Sequence, residues 1–227
     1  MELQHIDRVE VPPDSGAPRF FENERLGRAP STPGERLTGE GPKAELPALE
    51  LVDRKSESAV TPGKLSTVEL TVDGRKRAYQ VYVPENHEGP LPVVYVLHGV
   101  NEGDASGLMD RETEMSRYAE ERGFVAVYPL AEVGEDGLAS WNSPGAGLTE
   151  TDPSYDDVNY MKAVVDSVKK DLGVAVDPED QILAGFSEGG EFVHHLVGRM
   201  PGVFSDRAAV HGTLTGSETW PGDPMPV

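Results

Sequence analysis

Apolar and polar residues alternate in two short stretches near residue 70, and this spacing predicts a pair of strands. The stretches are STVELTV, residues 66–72, and RAYQVYV, residues 77–83, and Asp73-Gly74 lies between them. An Asp-Gly pair is typical of the tight turns that join antiparallel strands. The pattern therefore predicts a β-hairpin at the start of the ordered part of the chain.

Beyond the hairpin, short apolar runs alternate with stretches of helical periodicity. The runs are VVYVLHG (93–99), FVAVYP (124–129), QILAG (181–185) and RAAVHG (207–212), and they are typical of buried strands. Helices are predicted between them: one over residues 107–123, closed by Gly123, and others over residues 156–173 and 191–200. This alternation implies an α/β fold, a mostly parallel sheet with helices on both faces.

Two of these helices show a clear apolar stripe. Asp156 or Asp157 is the predicted N-cap of the earlier one. The inward residues are predicted to be Val158, Met161, Val165, Val168 and Leu172 in the first, and Phe192, Val193, Leu196, Val197 and Met200 in the second.

Two segments lack periodicity. Residues 1–62 are rich in Pro, Gly, Glu and Arg, which predicts a disordered tail or linker ahead of a domain over residues 63–227. Residues 130–155 predict a long loop, and loops of this length in compact domains are usually functional.

Composition narrows the function. A net charge of -20 argues against nucleic acid as a partner, and the absence of cysteine excludes disulfides and thiolate chemistry. No stretch has the length of a membrane span, and the first residues lack the apolar run of a secretory signal. The cytoplasm is the default expectation, with secretion open if the natural N-terminus lies elsewhere.

No His and carboxylate cluster or phosphate-binding glycine loop stands out in the sequence, so no metal or organic cofactor is expected.

The pentapeptide Gly185-Phe-Ser187-Glu-Gly189 follows a predicted strand and precedes a predicted helix. Such a motif arises by chance in about one comparable sequence in ten, so its context decides its meaning. A strand and a helix on either side favour a nucleophile elbow over an ordinary turn serine, with both glycines allowing close packing. The Glu188 amide would then face an oxyanion at the helix N-terminus.

A second oxyanion donor is expected after the strand that ends in His98-Gly99. The loop after that strand lies beside the nucleophile turn in an α/β-hydrolase arrangement, which makes the Val100 amide the candidate. His98 itself is interpreted as structural.

Several stretches between Leu65 and the end of the chain resemble the polyhydroxybutyrate depolymerase and feruloyl esterase group of α/β-hydrolases. They are YQVYVP, PVVYVLHG, FVAVYP, SWNSPG, YDDVNYMKAVVDSV, VDPEDQILAGFSEGGEFVHHL and MPGVFSDRAAVHG. The resemblance implies a serine esterase acting on small-molecule or polymer esters, of the polyester, aromatic or acetyl type. It also implies Ser187 as nucleophile, Val100 and Glu188 in the oxyanion region, and Trp141 with Asn142 in the loop beside the acyl site. Secreted members usually carry a signal peptide and cysteines, which this sequence lacks.

A serine nucleophile needs a histidine base and a carboxylate, which follow the serine along the chain in α/β-hydrolases. After Ser187 the only histidines are His194, His195 and His211. The first two diverge by about 100° on a helix and should project away from the serine. His211 ends a strand where the fold sometimes places its acid. We therefore expect the acid and histidine beyond Val227, with the domain incomplete at its C-terminus and its last strand an exposed edge.

Two further functions stay open at this stage. The chain is alternatively a non-catalytic remnant or binding module of the same fold, because it lacks an evident triad. A serine peptidase on the same fold is the other alternative, since ester and amide cleavage begin in the same way. Substrate identity and oligomeric state cannot be predicted from this sequence.

Overall fold

The computed structural model of the chain describes residues 60–100, 107–134, 137–142 and 154–214. Almost all of the tail predicted over residues 1–62 lies outside these ranges, as does part of the loop predicted over residues 130–155.

Strands and helices alternate through the described residues, as the periodicity predicts. The strands are β1 (Ser66–Val72), β2 (Arg75–Tyr82), β3 (Leu91–Leu97), β4 (Val125–Pro129), β5 (Val176–Phe186) and β6 (Asp206–Val210). The helices are α1 (Leu108–Thr113), α2 (Met115–Arg122), α3 (Asp157–Asp171) and α4 (Glu188–Arg199).

One sheet contains these strands in the order β1-β2-β4-β3-β5-β6. β1 and β2 form the predicted hairpin, and its turn residues Asp73 (φ 52) and Gly74 (φ 73) both have the left-handed backbone of a mirror-image turn. β2 pairs with β4 antiparallel, whereas β4, β3, β5 and β6 are parallel neighbours. The predicted mostly parallel α/β sheet is therefore confirmed.

Side chains of β3 and β4 alternate between two apolar clusters, one on each face of the sheet. Val93 and Val127 belong to the larger cluster, which α3 and α4 cover, and Val96 and Ala126 belong to the smaller one, which α1 and α2 cover. Helices thus pack on both faces, and the predicted stripes of α3 and α4 are buried. Asp156 is the N-cap of α3, since its carboxylate accepts the Val158 N–H at 2.9 Å.

The single helix predicted over residues 107–123 is wrong, because two short helices replace it. Glu114 has a φ of 53 and separates α1 from α2. The break is held by Asp110, whose carboxylate accepts the Ser116 N–H at 2.9 Å and the Tyr128 hydroxyl at 2.6 Å. Gly123 does close the second helix, with a φ of 74.

β6 lies at one edge of the sheet in the described part of the chain, and Val210 within it is 51% exposed. None of the helices in the described ranges combines the length and the apolar character that crossing a bilayer requires.

We expect Asp110→Ala to lower the free energy of unfolding by about 2 kcal/mol, because it removes two hydrogen bonds to a charged acceptor. Tyr128→Phe removes one of them and should cost about half as much. Urea denaturation of both variants measures the difference. An Asp110→Ala chain as stable as the wild type would show that the helix break does not depend on this carboxylate.

Candidate active site

Ser187 lies at the junction of β5 and α4, in a backbone conformation that non-glycine residues rarely adopt. Its φ is 53 and its ψ is -123. Backbone strain of this kind costs on the order of 1–3 kcal/mol and persists only where the surrounding structure holds it. The strand before Ser187 and the helix after it make the strained strand–turn–helix that a nucleophile elbow requires.

Backbone atoms around Ser187 pack against one another, and against the end of β3, with no side chain between them. A Cβ at Gly185 would lie 2.3 Å from the Gly189 carbonyl oxygen. A Cβ at Gly189 would lie 2.5 Å from the carbonyl oxygens of both Leu97 and His98. The first turn of α4 therefore rests directly on the end of β3, which brings Ser187 beside the turn that follows β3.

A second glycine pair, which the sequence analysis missed, packs β6 against the same helix turn. A Cβ at Gly212 would lie 2.3 Å from the Gly190 carbonyl carbon, and one at Gly190 would lie 2.9 Å from the Gly212 Cα. In the sequence, the glycine doublet at 189–190 and the His-Gly that ends the RAAVHG run could have indicated this contact.

Hydrogen bonds fix the backbone of Ser187 on both sides. Its N–H donates to the Val210 carbonyl at 2.9 Å, which extends the pairing of β5 with β6 by one residue. Its carbonyl accepts the Glu191 N–H at 3.1 Å within α4. The Ser187 amide is thereby occupied, whereas the amide of Glu188 belongs to the first turn of α4, where N–H groups point out of the helix end.

His98, at the end of β3, is fully buried and has both ring nitrogens engaged. The Nδ1–H donates to the Gly99 carbonyl at 2.6 Å, since a carbonyl oxygen only accepts. Nε2 accepts the Ala131 N–H at 3.0 Å. These partners fix a neutral ring with its proton on Nδ1 and make His98 a structural residue of the turn before Val100, which is 41% exposed.

Trp141 is fully buried beneath this turn. Its ring packs between His98 and Phe192, with centroid distances of 4.7 Å and 5.1 Å. Its Nε1–H donates to the His98 carbonyl at 2.8 Å. Trp141 therefore lies under the candidate site and supports the backbone of the turn.

Asn142 is also buried and uses its backbone and its side chain in hydrogen bonds. Its N–H donates to Asp157 Oδ2 at 2.7 Å, its carbonyl accepts the Asp157 N–H at 2.7 Å, and its side-chain amide donates to the Tyr155 carbonyl at 2.7 Å. Asn142 therefore joins the segment around Trp141 to the start of α3.

Asp157 forms a buried ion pair with Arg77, at 2.7 Å between Oδ1 and Nη1. Arg77 also donates to the Leu130 carbonyl at 3.2 Å and lies 3.9 Å above the Tyr160 ring. Burial raises the pKa of the Asp157 carboxyl from 3.8 to about 6, and the Arg77 charge and the Asn142 N–H oppose that rise.

Glu188, the first residue of α4, is buried and turns its carboxylate toward residues 140–141. Oε1 accepts the Ser140 hydroxyl at 2.6 Å, and Oε2 accepts the Trp141 N–H at 3.2 Å. Sequence analysis assigned this residue only a backbone role, and no local pattern signals a side-chain contact with a segment more than 40 positions away.

Of the three histidines after Ser187, His194 and His195 lie on α4 and His211 follows β6. His195 is buried on α4, its ring 6.2 Å from that of Phe192. His211 follows β6 with a φ of 57, is exposed, and lies 5.6 Å from the Phe186 ring. Within the described ranges the Ser187 hydroxyl makes no hydrogen bond to a histidine. The same ranges contain no group of three or more His, Asp and Glu residues arranged to hold a metal ion.

The sheet and its helices define an α/β-hydrolase. A family model named Esterase, with the description "Putative esterase", matches residues 71–220, and the chain therefore belongs to this esterase family. The resemblance to α/β-hydrolase esterases is confirmed.

Known proteins resemble this chain in sequence or in structure. "Putative esterase NocK" from Nocardia uniformis subsp. tsuyamanensis is 34% identical over 167 residues, which cover 70% of this chain and 45% of NocK. A ferulic acid esterase superposes with a TM-score of 0.50 at 21% identity, covering 64% of this chain and 57% of that protein. The fluorophosphonate-binding serine hydrolase FphF of Staphylococcus aureus superposes with a TM-score of 0.50 at 18% identity, covering 66% and 57%. The chain thus spans less than half of NocK and little more than half of the two solved structures.

Gly189→Ala is expected to lower the free energy of unfolding by about 3 kcal/mol, because its methyl group would press on two backbone oxygens that cannot move independently. Gly173→Ala is the matched control: its Cβ would stand in open space, and its φ of 74 alone should cost about 1 kcal/mol. Thermal denaturation compares the two. Equal losses would show that the contact of α4 with β3 is not tight.

The free energy of unfolding of the wild type, relative to that of Asp157→Asn, should fall by about 2 kcal/mol as the pH rises from about 4 to about 7. The folded-state pKa of Asp157 is raised, so the folded chain holds a proton that the unfolded chain has released between pH 3.8 and about 6. That contribution is present at low pH and is lost as the pH rises through about 6. Denaturant midpoints of both proteins across this range test it, and a relative stability that rises with pH would contradict it.

Proposed function

We propose that this chain carries the nucleophile of a serine ester hydrolase, with Ser187 forming an acyl-enzyme. The observation that carries the proposal is the strained backbone of Ser187 at a strand-to-helix junction packed by Gly185 and Gly189. Backbone strain that costs on the order of 1–3 kcal/mol is concentrated at active sites, and a serine in an ordinary turn does not require it. Membership of an esterase family supports the same chemistry.

The reaction follows from the placement of the groups. Ser187 Oγ attacks the ester carbonyl carbon while a general base takes its proton, and the carbonyl oxygen becomes an oxyanion. The amides of Glu188 and Val100 are the proposed donors to that oxyanion. Collapse of the intermediate expels the alcohol, which takes up the proton, and water then releases the acid from Ser187 by the same steps in reverse order.

The proposed substrates are carboxylic esters of the polyhydroxyalkanoate, feruloyl or acetyl type, as small molecules or in polymers. The likeness to NocK and the family match support an ester, and the ferulic acid esterase shares the fold. Trp141 and Asn142 are proposed to shape the acyl site from beneath, because both are buried and hold the segment beside the turn after β3.

A second candidate function is a non-catalytic member of the fold. One observation favours it: the hydroxyl of Ser187 has no histidine hydrogen-bonded to it in the part of the chain that the structure describes. Without a base, a serine hydroxyl is a weak nucleophile. The two functions differ in whether Ser187 reacts.

We expect a fluorophosphonate probe to label Ser187 in the natural full-length protein, because the probe needs a serine activated by a general base and an oxyanion site. Ser187→Ala is the control and should remain unlabelled. Mass spectrometry of the labelled peptide identifies the site. An unlabelled wild type would support the non-catalytic alternative, and labelling that persists in Ser187→Ala would overturn the assignment of the nucleophile.

An ester and an amide with the same acyl group separate esterase from peptidase activity. We expect the p-nitrophenyl ester to be hydrolysed and the matching p-nitroanilide to be left intact. Preferential hydrolysis of the anilide would contradict the proposed substrate class.

A further inference from the structure

We propose that the side chain of Glu188 is a positioning residue for the oxyanion site, an inference that rests on the proposed function. Its carboxylate holds residues 140–141, and Trp141 in turn holds the end of β3. The turn that carries the Val100 amide is thereby held in a fixed position relative to the amide of Glu188 itself.

The first step is the contact between α4 and the segment. Glu188 is only 5% exposed, and both of its carboxylate oxygens accept hydrogen bonds: Oε1 from the Ser140 hydroxyl at 2.6 Å and Oε2 from the Trp141 N–H at 3.2 Å. A buried carboxylate with both oxygens bonded to adjacent residues fixes the position of those residues, because breaking either bond leaves a buried polar group unpaired.

The second step is the contact between the segment and the oxyanion turn. The indole N–H of Trp141 donates to the His98 carbonyl at 2.8 Å. That same carbonyl oxygen lies against Gly189, at 2.5 Å from the place where a Cβ would stand. The contacts therefore form a closed ring that runs from the start of α4 through residues 140–141 to the end of β3 and back to α4.

The third step compares the electrostatic effect of Glu188 with its positioning effect. A negative charge in the first turn of α4 offsets the positive potential of the helix N-terminus and repels an oxyanion that forms nearby. Charge alone therefore predicts that neutralising Glu188 accelerates the reaction. Positioning predicts the opposite, because displacing oxyanion donors by a fraction of an ångström weakens the bonds formed in the transition state.

The two effects are separated by the rate of fluorophosphonate labelling of Ser187. We expect labelling about 10-fold slower in Glu188→Gln, which keeps one acceptor for Ser140 but presents an amide to the Trp141 N–H, and about 100-fold slower in Glu188→Ala. Ser140→Ala should slow labelling as well, and its effect should be less than additive with Glu188→Gln.

Glu191→Gln is the matched control, because it removes the same charge from the same turn of α4. The Glu191 carboxylate accepts the Thr213 hydroxyl at 3.1 Å and has no hydrogen bond to residues 140–141. We expect its labelling rate to equal or slightly exceed that of the wild type.

A second measurement does not depend on reactivity. The chain has two tryptophans, Trp141 and Trp220, so in a Trp220→Phe background the fluorescence reports on Trp141 alone. We expect acrylamide quenching of Trp141 to increase in Glu188→Gln and Glu188→Ala and to stay unchanged in Glu191→Gln.

The outcomes are distinct. Unchanged quenching in both Glu188 variants overturns the proposal, because the carboxylate then does not hold the segment. Increased quenching with unchanged or faster labelling also overturns it, because the segment then does not set the oxyanion site. A wild type that the probe does not label contradicts the proposed function, and the Glu188 contact then has no role in catalysis. Acrylamide quenching still decides whether Glu188 holds residues 140–141.

Discussion

The packing of α4 directly on the carbonyl oxygens of Leu97 and His98 is the contact on which the rest of the site depends. Only Gly189 permits it, since any Cβ there would overlap both oxygens. This contact sets the distance between the first turn of α4 and the turn after β3, and with it the separation of the two amides proposed to bind an oxyanion. It also leaves no room for a side chain between the two segments, so their relative position is determined by backbone atoms, which vary less than side chains do.

The strained backbone of Ser187 is held by elements that are themselves well packed. The pairing of β5 with β6 supplies the Val210 carbonyl for the Ser187 N–H, and α4 supplies the Glu191 N–H for its carbonyl. α4 is anchored in turn by Phe192 and Leu196, both fully buried. Burial of such side chains contributes about 1.5–3 kcal/mol each, which is sufficient to offset the strain at one residue. The serine hydroxyl is thus oriented by the sheet and by the core under α4.

The sequence predicts those parts of the fold and site that depend on periodicity and local spacing. Alternating apolar residues identify β1 and β2, and the spacing of Gly185 and Gly189 around Ser187 indicates the elbow. The break at Glu114 was missed because it depends on Asp110 bonding to Tyr128, a tertiary contact, and not on a glycine or proline. The role of the Glu188 carboxylate was missed for the same reason: its partners are distant in the sequence, and nothing about an isolated glutamate indicates them.

Trp141 and Asn142 show how contacts between residues distant in the sequence satisfy the polar groups of a buried segment. Consecutive backbone amides there donate to two different carboxylates, Trp141 to Glu188 and Asn142 to Asp157. Each acceptor is the first residue of its helix, α4 and α3 respectively. Helices that follow parallel strands begin at the same end of the sheet, so their first residues can meet one segment, as Glu188 and Asp157 meet residues 141–142. A carboxylate is favoured at that position by the helix dipole, and buried N–H groups need acceptors. The same two carboxylates therefore satisfy the segment and connect it to both helices, so a displacement of either helix N-terminus would be transmitted to Trp141 and to the turn after β3.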